Sequence, residues 1–205
     1  TINDAELLEF EVEASPDLPL GATLIFGTIV YSGPYEKVGH FAQTILAMTE
    51  DFESGDFAQN DWEFSGNADW TISSAAQEGS FCARSGNINH NEESILSLTI
   101  DIPVDGNLSF YKQVSCEASS YGSYWDYLAF YIDDELQGQW AGEEMWSESV
   151  YAITAGTRTL KWVYHKDGYG TEGDDCAWID NIMFPTVQEV TSPVFFTETE
   201  ALDFG

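Results

Sequence analysis

Carboxylates are the side chains with the greatest chemical reach in this sequence: 36 Asp and Glu stand against 6 Lys and Arg over 205 residues, a formal charge of −30. Such a chain repels phosphate backbones and anionic lipid headgroups, which excludes nucleic-acid and membrane-surface partners. It attracts cations, above all hard oxygen-ligated ones such as calcium, for which Asp and Glu are the preferred side-chain ligands. Many of these acids need do no more than keep the surface soluble. Glycoside cleavage would need two carboxylates facing each other across a cleft, about 5 to 10 Å apart, and abundance alone does not single out such a pair.

The other reactive groups are few. Cys82, Cys116 and Cys176 match no zinc spacing and are odd in number, so three buried thiols are favoured over one bridge with a spare. His40, His90 and His165 stand in no nucleophile-elbow or metalloprotease signature. Cys116 or Cys176 with His165 could in principle form a thiol and base pair, yet neither has a local signature. The chain is therefore read as non-catalytic.

The elements that must position these groups read as strands. Leu96, Leu98, Ile100 and Ile102 occupy every second position before Pro103, a period of two rather than 3.6. Val104–Asn107 then turns the chain into Leu108, Phe110 and Val114, which suggests a hairpin. Leu128, Phe130 and Ile132 alternate likewise up to a polar turn at Asp133–Glu135, and Leu160, Trp162 and Tyr164 follow Gly156. Trp140, Trp146, Trp162 and Trp178 lie in such runs and read as core or sheet-face residues. A last strand, Ala177–Phe184, is apolar on both faces except at Asp180 and Asn181, and its carboxylate needs a partner. The pattern is all-β.

Residues 1–48 form a different unit: an alternating run at Leu8–Val12, a turn at Ser15–Gly21, and strands over Thr23–Tyr31 and His40–Leu46. Too few to close a sandwich, these look like part of an immunoglobulin-like domain. After Pro185, residues 187–205 read as a linker with Pro193–Phe196 and Leu202–Gly205 opening a further module. No run approaches the roughly 20 apolar residues of a membrane span, and the chain opens on Thr1, so it reads as a piece of a longer protein with its signal peptide upstream.

The middle unit, residues 49–186, opens with Glu50-Asp-Phe-Glu-Ser-Gly-Asp-Phe57, continues through Trp62, Ala68–Ile72 and Glu78–Phe81, and closes with Gly173–Pro185 around Trp178-Ile-Asp-Asn-Ile182. This ordered set resembles the cleaved-adhesin modules found beside gingipain-type cysteine peptidases and haemagglutinins, themselves similar to MAM domains. The resemblance implies a jelly-roll β-sandwich without catalysis of its own, in a secreted or surface-attached bacterial protein, with calcium holding loops to the sandwich. Carried onto this chain, it makes Glu53 and Asp180 the first-choice metal ligands and Asp51 and Asp69 additions to them. The competing reading is that Glu53 and Asp180 cap turns or accept backbone N–H groups.

One stretch is longer than that family's usual connection. Between Val114 and Asp126 the chain carries Tyr121, Tyr124 and Trp125 among Ser and Gly, the composition of a binding loop, because Tyr and Trp offer large contact area with few rotors. Alternatively Trp125 tucks into the sandwich edge under the tyrosines. The expected partner is a host or matrix protein or a glycan, bound by a monomeric fragment; the rivals are a structural spacer beside a catalytic domain and a carbohydrate-binding module.

Overall fold

The computed structural model describes residues 23–32, 35–44, 48–118 and 123–186. Among the described residues thirteen strands run in order: β1 (Thr23–Ser32), β2 (Tyr35–Thr44), β3 (Met48–Glu50), β4 (Trp62–Gly66), β5 (Thr71–Ser73), β6 (Cys82–Arg84), β7 (Glu93–Ile102), β8 (Gly106–Ser115), β9 (Tyr127–Ile132), β10 (Glu135–Trp140), β11 (Glu143–Ile153), β12 (Gly156–His165) and β13 (Cys176–Phe184). The described residues contain no helix.

β1 and β2 pair antiparallel from Thr23↔Thr44 to Ser32↔Tyr35 and belong to one compact unit; the remaining strands lie in another, Ala47–Val187. The second strand starts at Tyr35 rather than His40, because the ladder carries on through Glu36 and Lys37, where apolar alternation alone gave no strand signal. The run at Leu8–Val12 and the segment 187–205 lie outside the described residues.

Two sheets face each other in the second unit. One has the order β10-β9-β12-β7-β4; the other has β11-β8-β13-β6-β5, with β3 also on β13. The alternating residues meet between them: Leu96, Leu98 and Ile102 of β7, Leu108, Phe110 and Val114 of β8, Leu128 and Phe130 of β9, and Leu160, Trp162 and Tyr164 of β12 form one buried cluster. Phe110 and Phe130 meet edge-on at 4.8 Å between ring centroids, and Phe130 lies 4.9 Å from Trp162. Each such side chain contributes about 2–3 kcal/mol by leaving water.

The hairpin expected over Val104–Asn107 is not formed. β7 belongs to the five-stranded sheet and β8 to the six-stranded one, so the short connection crosses the sandwich. Ala155 N–H donates to Asp105 Oδ1 at 2.7 Å and ties that crossing to the start of β12. Period-2 strands bury their apolar faces equally well side by side or face to face, and here two such faces close the core on each other.

β13 departs from alternation for a visible reason. Ala177, Ile179, Ile182 and Phe184 point into the main core, while Cys176 and Trp178 on the other face pack with Cys82 beneath Ala76 and Trp146. Register with β8 shifts between Asp180 and Met183, and Asn181 adopts φ 47°. The bulge changes which residues face inward and leaves Asp180 on the outer face, where a loop covers it.

Candidate functional site

The loop over β13 is held by two carboxylates. Asp180 is fully buried; its Oδ2 accepts N–H groups from Gln77 (2.9 Å) and Glu78 (3.4 Å), and its Oδ1 accepts Asn181 N–H at 2.8 Å. Glu53 Oε1 accepts N–H groups from Ser80 and Phe81, both at 2.8 Å. Gly79 sits between, at φ 72°, where a Cβ would lie 2.5 Å from the Glu53 carboxylate; only glycine lets the backbone approach so closely. Burial pushes the Asp180 carboxyl up to about 6, against the pull of its three backbone donors, and the charge of Glu53 raises it further.

Of the four residues named by the family resemblance, Glu53 and Asp180 thus grip one segment, and Asp51 braces the first of them by accepting Glu53 N–H at 3.1 Å. Asp69 is exposed. No three of these four offer oxygens within 4.8 Å of one another. Glu50, beside them in β3, is fully buried and accepts from Phe52 N–H, Asn60 Nδ2 and Trp62 Nε1, which ties β3 to the loop after it and to β4, while the backbone of Glu50 pairs with Ile182 of β13.

A second acidic constellation lies where β8 ends, β9 begins and β12 ends. Tyr127 of β9 pairs with His165 of β12, which sets Asp126 beside Lys166 and Asp167. Asp126 is fully buried, and its Oδ1 accepts Asp167 N–H at 2.9 Å. Lys166, only 1% exposed, places Nζ against Asp175 and 3.4 Å from Asp126 Oδ2; Tyr164 O–H donates to Asp175 Oδ1 at 3.0 Å. Oxygens of Glu117, Asp126 and Asp167 lie within 4.8 Å of one another, the one such trio among the described residues. Desolvation and the neighbouring acids Asp126, Asp167 and Glu172 hold the Glu117 carboxyl above its usual range. Sequence reasoning missed this group. Its members stand nine and 41 residues apart, and the sole local signal was that Glu117 and Asp126 flank the aromatic stretch.

The aromatic edge adjoins that trio. Tyr124 is 42% exposed and meets Tyr127 edge-on at 6.1 Å, and Tyr127 stacks on His165 at 4.9 Å. Trp125 is half-buried, Tyr169 is almost fully exposed, and Tyr121 lies outside the described residues. His165 Nδ1 lies 3.1 Å from Glu93 Oε1, so its ring is engaged by a carboxylate and an arene.

The thiols are not poised for chemistry. All three cysteines are free and buried, and desolvation pushes Cys82 and Cys116 up to about 12 and Cys176 to about 11. A thiolate nucleophile needs the opposite shift. Native protein should therefore leave Ellman's reagent unreacted over minutes while the guanidinium-unfolded chain releases three equivalents; rapid release from the native state would show an accessible thiol.

No family model matches the chain, and no curated protein matches it in sequence. Among solved structures, the K1 cleaved adhesin domain of Lys-gingipain from Porphyromonas gingivalis W83 superposes with a TM-score of 0.50 at 15% identity, covering 69% of this chain and 98% of that domain. The K3 cleaved adhesin domain of the same protein does so with a TM-score of 0.50 at 15% identity, over 68% of this chain and 98% of that domain. At such identity the likeness is one of fold: a two-sheet, antiparallel β-sandwich.

Proposed function

We propose that the sandwich is a non-catalytic binding module of a larger secreted or cell-surface protein of the gingipain type, stabilised by calcium, that takes a glycan or an extracellular host or matrix protein on the edge formed by Tyr124, Trp125 and Tyr127. The observation that carries this reading is the exposure of Tyr124 on a firm aromatic base, since an arene held by Tyr127 and His165 presents contact area without much further loss of rotamer freedom. The fold-level likeness to cleaved adhesin domains supports the same class. Calcium supports the loop through Glu53 and Asp180: Asp180 is fully buried, the charge of exposed Glu53 raises its carboxyl, and a hard cation would offset those like charges. The pair suits such an ion in donor type and charge, and the ion would supply structural crosslinking, not catalysis. No helix among the described residues is long and apolar enough to cross a membrane.

Glycan arrays and immobilised matrix proteins probed with wild type and Tyr124→Ala test the proposal. Tyr124→Ala should shift stability by no more than about 1 kcal/mol, as befits an exposed side chain, and weaken binding about tenfold or more. Wild type that binds neither class, or a variant that binds as well as wild type, would favour the rival reading of a structural spacer, to which the half-burial of Trp125 already lends weight.

A further inference from the structure

We propose that Glu117, Asp126 and Asp167 form a second calcium site, distinct from the Glu53–Asp180 pair. The three carboxylates come from the ends of three elements: Glu117 follows β8, Asp126 precedes β9 and Asp167 follows β12. Their oxygens fall within 4.8 Å of one another. Opposed ligands on one calcium ion, each at 2.3–2.6 Å, stand about 5 Å apart, so one ion spans this trio.

Proximity of acids on so negative a surface would by itself mean little. The deciding feature is Asp126. Its carboxylate has no accessible surface, and Oδ2 accepts no hydrogen bond. Such an oxygen, taken out of water and left unbonded, is costly unless a cation completes it. Lys166 is the cation at hand, yet its ammonium is drawn to Asp175 and meets Asp126 Oδ2 only as an ion contact at 3.4 Å, without a hydrogen bond to it. One ammonium faces Glu117, Asp126, Asp167 and Asp175, leaving a surplus of three negative charges, and the Glu117 carboxylate accepts no hydrogen bond among the described residues. The backbone around the trio is already fixed without a metal: Lys166 N–H donates to Glu92 O, Asn91 N–H to Asp167 O, and Asp167 Oδ1 accepts Tyr169 N–H. A built, electron-rich cradle with a buried free oxygen suits a hard divalent ion whose remaining positions are taken by water.

The placement also ties the ion to the aromatic edge, a consequence that rests on the binding reading above. Asp126 lies between Trp125 and Tyr127, and Asp167 holds the turn that carries exposed Tyr169. An ion bridging them would fix the segment bearing Tyr124 to the turn bearing Tyr169, so ligand binding through that edge should require calcium.

Isothermal titration of calcium chloride into the chelator-stripped full chain tests the site without any ligand. Three proteins decide it: wild type, the double variant Glu117→Gln, Asp167→Asn, and Glu53→Gln. Both amides in the double variant keep side-chain volume, and Asn retains an oxygen for Tyr169 N–H. The expected result is that the double variant loses one equivalent of calcium, or binds it at least about tenfold more weakly, as removal of two ligand charges demands, while Glu53→Gln keeps that equivalent. Wild type that takes up no calcium, or a double variant whose isotherm superimposes on wild type, overturns the proposal. A loss confined to Glu53→Gln overturns it too, while leaving the Glu53–Asp180 reading standing. Should the double variant fail to fold, as read by near-ultraviolet circular dichroism, Glu117→Gln alone decides the matter by the same criterion.

Discussion

Lys166→Met is expected to destabilise the sandwich by about 3–5 kcal/mol, the usual consequence of removing one partner from a buried ion pair. Lys166 is 1% exposed, and among the described residues its ammonium is the sole cationic group against fully buried Asp126 and against Asp175. Methionine keeps most of the aliphatic stem, so lost packing is small and the effect isolates the charge. Asp126 would then have to stay ionised beside Asp175 without a counter-charge, or take up a proton. Burial already raises its carboxyl above the usual range, with the Asp167 N–H and Lys166 pulling the other way. For a domain of this size the loss corresponds to a melting temperature lower by roughly 10–15 °C. Two further measurements separate this from general damage. The deficit should shrink as pH falls from 7 to 5, because the orphaned Asp126 carboxyl, already raised by burial, takes up a proton. Adding Asp126→Asn to Lys166→Met should recover part of the stability, a coupling that a double-mutant cycle reads directly. A deficit under about 1 kcal/mol would show that Asp126 is satisfied by something other than Lys166.

Asp180→Ala is expected to cost about 2–4 kcal/mol at pH 7, and the gap from wild type should widen as pH falls. Three N–H groups, of Gln77, Glu78 and Asn181, lose their acceptor, and stranding such donors costs about 1–3 kcal/mol each when they stay dry. At neutral pH part of this is offset, because the variant no longer buries a charge beside Glu53. A carboxyl whose folded pKa is raised to about 6 binds its proton more readily in the folded chain than in the unfolded one. Its contribution to stability is therefore complete below the unfolded value near 4 and is lost as pH rises through about 6, a swing on the order of 2–3 kcal/mol. Urea titrations of wild type and Asp180→Ala at pH 7 and pH 5 capture about half of that swing, roughly 1–1.5 kcal/mol; a gap that stays constant between them contradicts a buried, titrating Asp180. Calcium gives the second arm. An ion shared with Glu53 would hold Asp180 ionised, raise the melting temperature by several degrees over chelator and flatten the pH dependence, and Asp180→Ala should abolish most of that difference. Magnesium at equal concentration is the control, since diffuse screening of a chain of charge −30 would make the two ions equivalent.

Local alternation was enough to place strands such as Leu96–Ile102, Leu128–Ile132 and Leu160–Tyr164, because period-two burial is a property of neighbouring residues and survives without knowledge of partners. The apolar positions of the last strand were legible in the same way, and so was the need of Asp180 for a partner, since a carboxylate inside a buried run must be satisfied by something. What satisfies it was not legible. Two of its three donors are backbone N–H groups more than 100 residues earlier in the chain, and every residue but proline carries such a group, so no residue type betrays them. The crossing from β7 to β8 was hidden for a related reason: alternation says that a strand has an apolar face but not whether its sequence neighbour lies beside it or opposite it, and only closure of the two sheets over Trp162 and Phe110 settles that. Glu117, Asp126 and Asp167 are three acids among thirty-six until the pairing of Tyr127 with His165 brings two strand ends together and the end of β8 beside them. Composition by itself determined that this chain seeks cations and shuns polyanions, because net charge needs no fold to act at a distance. Which carboxylates leave water, which meet a lysine and which keep a free oxygen was decided by tertiary structure alone, because desolvation and short-range pairing depend on contacts between residues far apart in sequence.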